Sequence, residues 1–222
     1  MTLNPQQTSV IEILMAARRI ADQARDEGAL TGETATRPTY FHVGAVLADS
    51  VLQAGLNYST VVRPRVLSIL HNYPEANTIS SVLQVTSQKR TGLFLNWQHH
   101  EKVSRFEKLV AFLHEQGIED VNDLRTQLGL EEFCDALLLV RGIGPKTVDY
   151  MACLVGIDSI AVDRHVRNFA KKVGVTESDY IFLRKSFCCA ADLLELPRRQ
   201  FDAWLWRSAS TTSTGGQLQL AL

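Results

Sequence analysis

Apolar positions recur along most of the chain at the three-and-four spacing of amphipathic helices. Over 39–53 they fall at Phe41, Val43, Val46, Leu47, Val51 and Leu52. The same pattern predicts helices over 5–27, 59–71, 77–86, 100–116, 120–128, 131–138, 145–155, 164–173, 178–194 and 198–209. Punctuation agrees with these bounds. Asn4 followed by Pro5 is a start signal and Gly28 a stop signal; Asn72-Tyr73-Pro74 closes the helix before it, and Gly117 separates two others. Period-two alternation is scarce and no internal repeat is found. The expectation is an all-α chain, a packed helical bundle rather than a solenoid. The stretch 29–38, ending in Pro38, reads as a linker, and the Ser/Thr/Gly-rich 210–222 as a mobile tail.

Length and composition narrow this picture little. The 222 residues suffice for one large domain or two small lobes, and 45% hydrophobic with 21% charged residues is ordinary for a globular chain. No apolar run approaches the roughly 20 residues a bilayer span needs. The start, MTLNPQQTSV, lacks a basic region leading into an apolar core. A cytoplasmic protein without membrane contact is therefore expected. Four cysteines, with Cys188 and Cys189 adjacent, fit no zinc or iron–sulfur spacing and are expected to be reduced thiols.

Charge changes the picture more. A net charge of −1 argues against a chain that coats nucleic acid indiscriminately. Yet residues 141–207 carry eleven Lys and Arg against eight Asp and Glu, while the remainder carries twelve against sixteen. A local basic face on a nearly neutral chain suits a polyanion held at one site.

That basic window opens on LLLVRGIGPKTVDY, residues 137–150. Gly142 and Gly144 permit φ > 0 and the close approach of another molecule's backbone. Ile143 between them can plug the gap between the flanking helices. Pro145 suits the first position of the next helix. A glycine turn feeding a helix N-terminus is an anion site, with phosphate the obvious anion; a tight αα-corner is the alternative. Lys146 in the first turn stands where the helix dipole disfavours a cation. Such an amine is pushed towards its neutral, nucleophilic form. Asp163 precedes Arg164-His165-Val166-Arg167 and is a good N-cap for the next helix.

GIGPKT, followed by Ile160-Ala161-Val162-Asp163-Arg164-His165-Val166 with Lys146 and Asp163 17 positions apart, resembles the helix–hairpin–helix DNA glycosylases. These include the endonuclease III and 8-oxoguanine glycosylase branches. The likeness is strong over 137–172 and traceable over 39–136 and 178–209. It implies a two-lobed helical fold with the active site in the cleft between lobes. The lobes would be a barrel over 39–155 ending in the hairpin and a C-terminal lobe over 156–209, with the 1–38 helix and linker packed on the latter. It implies an enzyme of base-excision repair. Lys146 would attack C1′ of a flipped nucleotide, displace the base and cut the strand by β-elimination, with Asp163 stabilising charge at the sugar.

The likeness extends to candidate contacts. Val51-Leu52-Gln53-Ala54-Gly55-Leu56-Asn57-Tyr58 is similar to the family's segment whose glutamine fills the gap left by the flipped base. Gln53 takes that role, and Asn57 or Tyr58 would touch the opposite strand. Gly142, Ile143, Gly144, Thr147 and His165 would face the DNA backbone. The stretch 196–207 is similar to the final helix of the 8-oxoguanine enzymes, so Trp206 and Asp202, one turn apart, would read the base, beside Tyr150. The alternative for that stretch is plain core packing. The loop 96–102 has a family counterpart but is read as surface.

The endonuclease III branch usually holds an iron–sulfur cluster, for which this chain has no cysteine arrangement, so no cofactor is expected. The family hairpin often holds Na+ or K+ through main-chain carbonyls; here these would be Leu138, Val140 and Ile143. The expected partner is duplex DNA containing a damaged base or abasic site, met by a monomer near the nucleoid. Two readings stay open beside the bifunctional glycosylase/lyase: a monofunctional glycosylase whose Lys146 only contacts DNA, and a non-catalytic hairpin DNA-binding protein.

Overall fold

A computed structural model of the chain describes residues 5–31 and 37–215, with side chains over 10–31 and 37–208. Every regular element among the described residues is helical. In chain order they are α1 (Pro5–Asp26), α2 (Val43–Leu52), a π-helical turn (Tyr58–Val62), α3 (Arg63–Asn72), α4 (Ile79–Ser87), α5 (Thr91–Phe94) and α6 (His100–Glu115). There follow α7 (Val121–Gln127), α8 (Glu131–Leu138), α9 (Pro145–Leu154), α10 (Arg164–Lys172), α11 (Tyr180–Leu193) and α12 (Arg198–Gly215). None among the described residues is long and apolar enough to cross a membrane. The chain divides into two compact units, Pro38–Ile157 and the combination of Met1–Arg37 with Asp158–Leu222.

The first of these is built around α2. All ten residues of α2 are buried, which its sequence, VGAVLADSVL, anticipates by being apolar on every side. It packs against α3, α6 and α9. At Gly44 an added Cβ would lie 2.8 Å from the Ala76 carbonyl, so only glycine lets α2 start this close to that backbone. An aromatic group of Tyr73, Phe94 and Phe106 fills the space beside it, with ring centroids 5.0 and 5.6 Å apart.

In the other unit α1 lies along α11. Its inward face, Ala17, Ile20, Ala21 and Ala24, is almost wholly small, which lets the two helices approach closely. Phe187, Phe201 and Trp204 stack beneath them, Phe201 and Trp204 within 10° of parallel. Of the four cysteines, Cys153 and Cys188 are buried.

Several helix bounds differ from the sequence reading. Helix α2 begins at Val43 rather than 39, because the His42 imidazole, in extended backbone, caps the helix there by accepting Ala45 N–H at 3.1 Å. The expected 59–71 helix opens with a π-helical turn. Pro64 has no N–H to give, and the Arg63 amide bonds back to Tyr58 O instead of to the usual acceptor. The short α5 was not foreseen. Helix α12 runs on to Gly215 where a tail was expected from 210. Ser and Thr are weak helix formers, yet nothing in them forbids continuing a helix already nucleated. The Asn4 cap, residues 32–36 of the 29–38 linker and the tail beyond 215 lie outside the described residues.

Candidate active site

In the unit 38–157 the candidates converge where α9 crosses α2. Lys146 Nζ donates to Gln53 Oε1 at 2.8 Å. One turn along each helix, Tyr150 Oη donates to Asp49 Oδ1 at 3.0 Å. Residues four apart share a helix face, so Asp49 and Gln53 on α2 meet Tyr150 and Lys146 on α9 as two polar rungs.

The lower rung is larger than the sequence indicated. The Asp49 carboxylate has no exposure and also accepts the hydroxyls of Tyr40 at 3.0 Å and Tyr58 at 3.3 Å. Three phenols thus satisfy one buried carboxylate. Burial first, and then the Asp49 charge, push the Tyr40 hydroxyl far above its ordinary range. Tyr40 is fixed in turn by its amide, which donates to Leu154 O at the end of α9. Tyr150, foreseen as a pocket residue, and Tyr58, foreseen as a strand contact, both point at this aspartate. Asp49 itself was missed. Its signal was a lone charge in an otherwise apolar helix, a pattern that marks a buried, partnered group.

The hairpin lies just upstream. Gly142 has φ +92, and an added Cβ would stand 2.4 Å from the Arg105 Nε. Gly144 has φ −119, so the left-handed conformation foreseen for both glycines is needed only at Gly142. What Gly144 offers is room: nothing lies within 4 Å of a Cβ built there. Ile143 is 4% exposed and fills the corner as foreseen, and Thr147 is 8% exposed. Gly144 caps α9 with no side-chain bond, and Pro145 occupies the first turn. Of the carbonyls that would hold a cation, Val140 O accepts Ile143 N at 2.9 Å. Among the described residues no group of three or more His, Cys, Asp or Glu is placed to bind a metal. Asn57 is exposed at the start of the π-helical turn, where its Oδ1 caps Thr60 N at 3.0 Å.

Two further cations stand at this place, and neither was foreseen. Lys102, expected at the surface, is half-buried, and its Nζ donates to Val51 O, Leu52 O and Ala54 O at 3.0, 3.2 and 2.8 Å. It thereby caps the carbonyl end of α2, where the helix dipole favours a cation. Burial first, then the charges of Arg105 and Lys146, bring its amine down to about 8. Arg105 lies against Gly142, and its Nε is buried without a hydrogen-bond partner among the described residues.

The other unit, Met1–Arg37 with Asp158–Leu222, holds the remaining candidates. Asp163 is the N-cap of α10: Oδ1 accepts His165 N at 2.7 Å and Val166 N at 3.1 Å. The His165 ring meets Trp206 edge-on, centroids 6.5 Å apart. Arg37 lies over the same indole, its guanidinium carbon 5.9 Å from the ring centroid, while its Nε donates to Asp202 Oδ2 at 2.5 Å. Asp202 is 1% exposed, and among the described residues its buried Oδ1 makes no hydrogen bond of ordinary geometry. Burial raises the Asp202 carboxyl and Arg37 opposes that rise; the nearby Asp163 charge adds to it. Asp202 and Trp206 thus stand together as foreseen, joined by Arg37, which the sequence hid at the end of an apparent linker. Lys146 and Asp163 belong to different units.

No family model, curated protein or solved structure matches the chain.

Proposed function

We propose that this protein is a base-excision repair enzyme, a bifunctional DNA glycosylase and abasic-site lyase of the helix–hairpin–helix kind, acting on duplex DNA with an oxidised base. One observation carries the reading. A half-buried lysine amine is held by a glutamine on the first turn of a helix whose preceding glycine corner is open.

The chemistry follows from these groups. The open face at Gly144 admits a phosphodiester backbone, which the uncapped amides of α9 attract. Uncharged, the Lys146 amine attacks C1′ of a flipped nucleotide. The C1′–N bond breaks and its electron pair leaves with the base, which takes a proton. The nitrogen lone pair then forms C1′=N as the C1′–O4′ bond breaks, and O4′ takes a proton lost by the attacking amine, which gives the Schiff base. Removal of a C2′ proton then breaks the C3′–O3′ bond. Asp163, anchored by its cap bonds, supplies the negative charge that favours positive character at the sugar. Trp206 offers an aromatic plate to the displaced base, with Arg37 and Asp202 beside it as polar readers. Gln53 would fill the vacated stack. The proposed enzyme works as a monomer near the nucleoid, without an iron–sulfur cluster, and any Na+ or K+ at the hairpin would be structural.

A panel of end-labelled duplexes, each with one lesion (8-oxoguanine, thymine glycol, uracil, G·T), tests this. The proposal expects base release with strand cleavage 3′ to an oxidised lesion. Base release with an intact abasic strand would make the protein monofunctional. Tight binding without either would make it a binding protein.

A further inference from the structure

Arg105 departs from the rule that buried polar groups find partners. It stands one turn along α6 from Lys102, half-buried, against the backbone of the glycine corner. A Cβ added at Gly142 would collide with its Nε and would lie 3.0 Å from its Cζ and 3.1 Å from its Nη2. The glycine is thus what lets one edge of the guanidinium come this close. Nothing in the fold answers that edge: Nε is buried with no hydrogen-bond partner among the described residues. A charged donor left so is costly. Lys102 adds to the cost, for its amine stands near enough that the Arg105 charge loosens its proton. The acidic groups close to Arg105 along α6 are turned elsewhere. Glu107 accepts the Thr91 hydroxyl at 2.7 Å, and Glu101 is exposed to solvent.

We propose that Arg105 is a phosphate-binding residue of the glycine corner, its guanidinium donating to an oxygen of the phosphodiester backbone that enters at Gly144. This rests on the reading of that corner as the entry for DNA, and it adds a side-chain ligand to the α9 amides. Two features of the corner favour an anion beside Arg105. A Cβ built at Gly144 meets nothing within 4 Å. Gly144 also gives α9, a ten-residue helix, no side-chain cap, so the positive end of its dipole meets open space. Arg105 brings a planar fork of N–H donors to the adjoining glycine. An oxyanion satisfies such a donor and also offsets the like charges of Arg105 and Lys102. A neutral or cationic ligand does not do both. A phosphodiester supplies that charge at every nucleotide, whatever the base, which suits a contact that positions the strand rather than reads it.

The test separates this inference from the lyase reading. The full-length protein is titrated with an undamaged labelled duplex from about 50 to 200 mM KCl. Arg105→Met keeps the length of the side chain without its charge or donors. It should bind about tenfold more weakly, and its plot of log K against log salt should be shallower by about 0.9, the loss of one phosphate contact. Its urea midpoint should equal or exceed that of the parent, because an unmet donor is gone. Lys108→Met removes an exposed cation further along α6 and should bind within about twofold of the parent. Unmoved affinity and slope in a folded Arg105→Met overturn the inference, as does an equal loss in Lys108→Met. So does a variant that loses binding to polyglutamate but not to duplex, which would make the ligand an acidic protein. Should Arg105→Met not fold, Arg105→Gln is read in the same way; should neither fold, Arg105 serves the fold and the inference falls. Borohydride trapping on abasic DNA is measured in parallel. A parent protein that binds duplex but never traps removes the lyase reading and leaves the Arg105 effect on binding intact. A parent that binds no duplex removes both.

Discussion

Asp49 and Asp202 are both helical aspartates with almost no exposure, one in each compact unit, and they are satisfied in opposite ways. Asp49 receives three neutral hydroxyls. Asp202 receives one guanidinium through Oδ2 and the backbone of Ala161 favours its charged form, while among the described residues its Oδ1 makes no hydrogen bond of ordinary geometry. The first arrangement is a closed knot that ties the segments around Tyr40 and Tyr58 to α2 and α9. The second leaves acceptor capacity and an arginine face next to an indole. A fully satisfied polar cluster rigidifies what it joins, whereas a partly satisfied one carries an energetic cost. On the proposed reading, the Asp49 knot would be the scaffold around Lys146, and the Asp202–Arg37 pair would face the displaced base.

The contrast breaks most visibly when each carboxylate loses its partners. Asp49→Leu removes the carboxylate that three tyrosine hydroxyls share, and should cost on the order of 3–5 kcal/mol in urea unfolding. A cost under about 1 kcal/mol would mean the knot is dispensable. Arg37→Met should cost somewhat less, about 2–4 kcal/mol at pH 7, because the uncompensated carboxylate can take up a proton. The sign follows from the raised Asp202 carboxyl. The folded state binds this proton more tightly than the unfolded chain, so the Asp202 contribution opposes folding increasingly as pH rises above the ordinary aspartate range. The deficit of Arg37→Met should therefore shrink as pH falls towards 5, and one that grows on acidification would contradict the assignment.

Lys102 sharpens the comparison from the cationic side. Its amine lies near 8 in the fold, below its unfolded value, so holding it charged weighs against folding at neutral pH. That burden is fully present below about pH 8 and lifts between there and the ordinary lysine value. Stability should rise across this window by a modest amount, because the group is only half-buried. Lys102→Met should flatten that rise in thermal melts at matched ionic strength.

The smallest effects are at the hairpin. Gly142→Ala meets both a left-handed backbone and Arg105, and should cost about 1–2 kcal/mol. Gly144→Ala meets open space and should change stability by less than about 0.5 kcal/mol while weakening binding to duplex DNA. Equal loss of stability in both would remove the case for an open DNA-facing corner.

Most helices were legible from apolar spacing and punctuation, because amphipathic faces and Gly or Pro stops act locally. What escaped was set by distant partners. Asp49 reads as an interruption in α2 until Tyr40, Tyr58 and Tyr150 arrive from elsewhere. Lys102 reads as a surface charge until the end of α2 reaches it from some 50 positions upstream. Arg37 sits at the edge of an unpatterned stretch, and only Asp202, 165 positions later, gives it a role. The glycine corner and Asp163 as a cap were readable because each rests on short spacing alone, whereas Asp202 and Trp206 were singled out only through the family resemblance.

The central claim is that Lys146 is a nucleophile rather than a DNA contact. Sodium borohydride trapping on duplex DNA with a single abasic site tests it most directly. The account predicts a covalent protein–DNA adduct with the parent chain, lost in Lys146→Gln while that variant still binds the duplex. An adduct that persists in Lys146→Gln, or none from a parent protein that binds the site tightly, would contradict it.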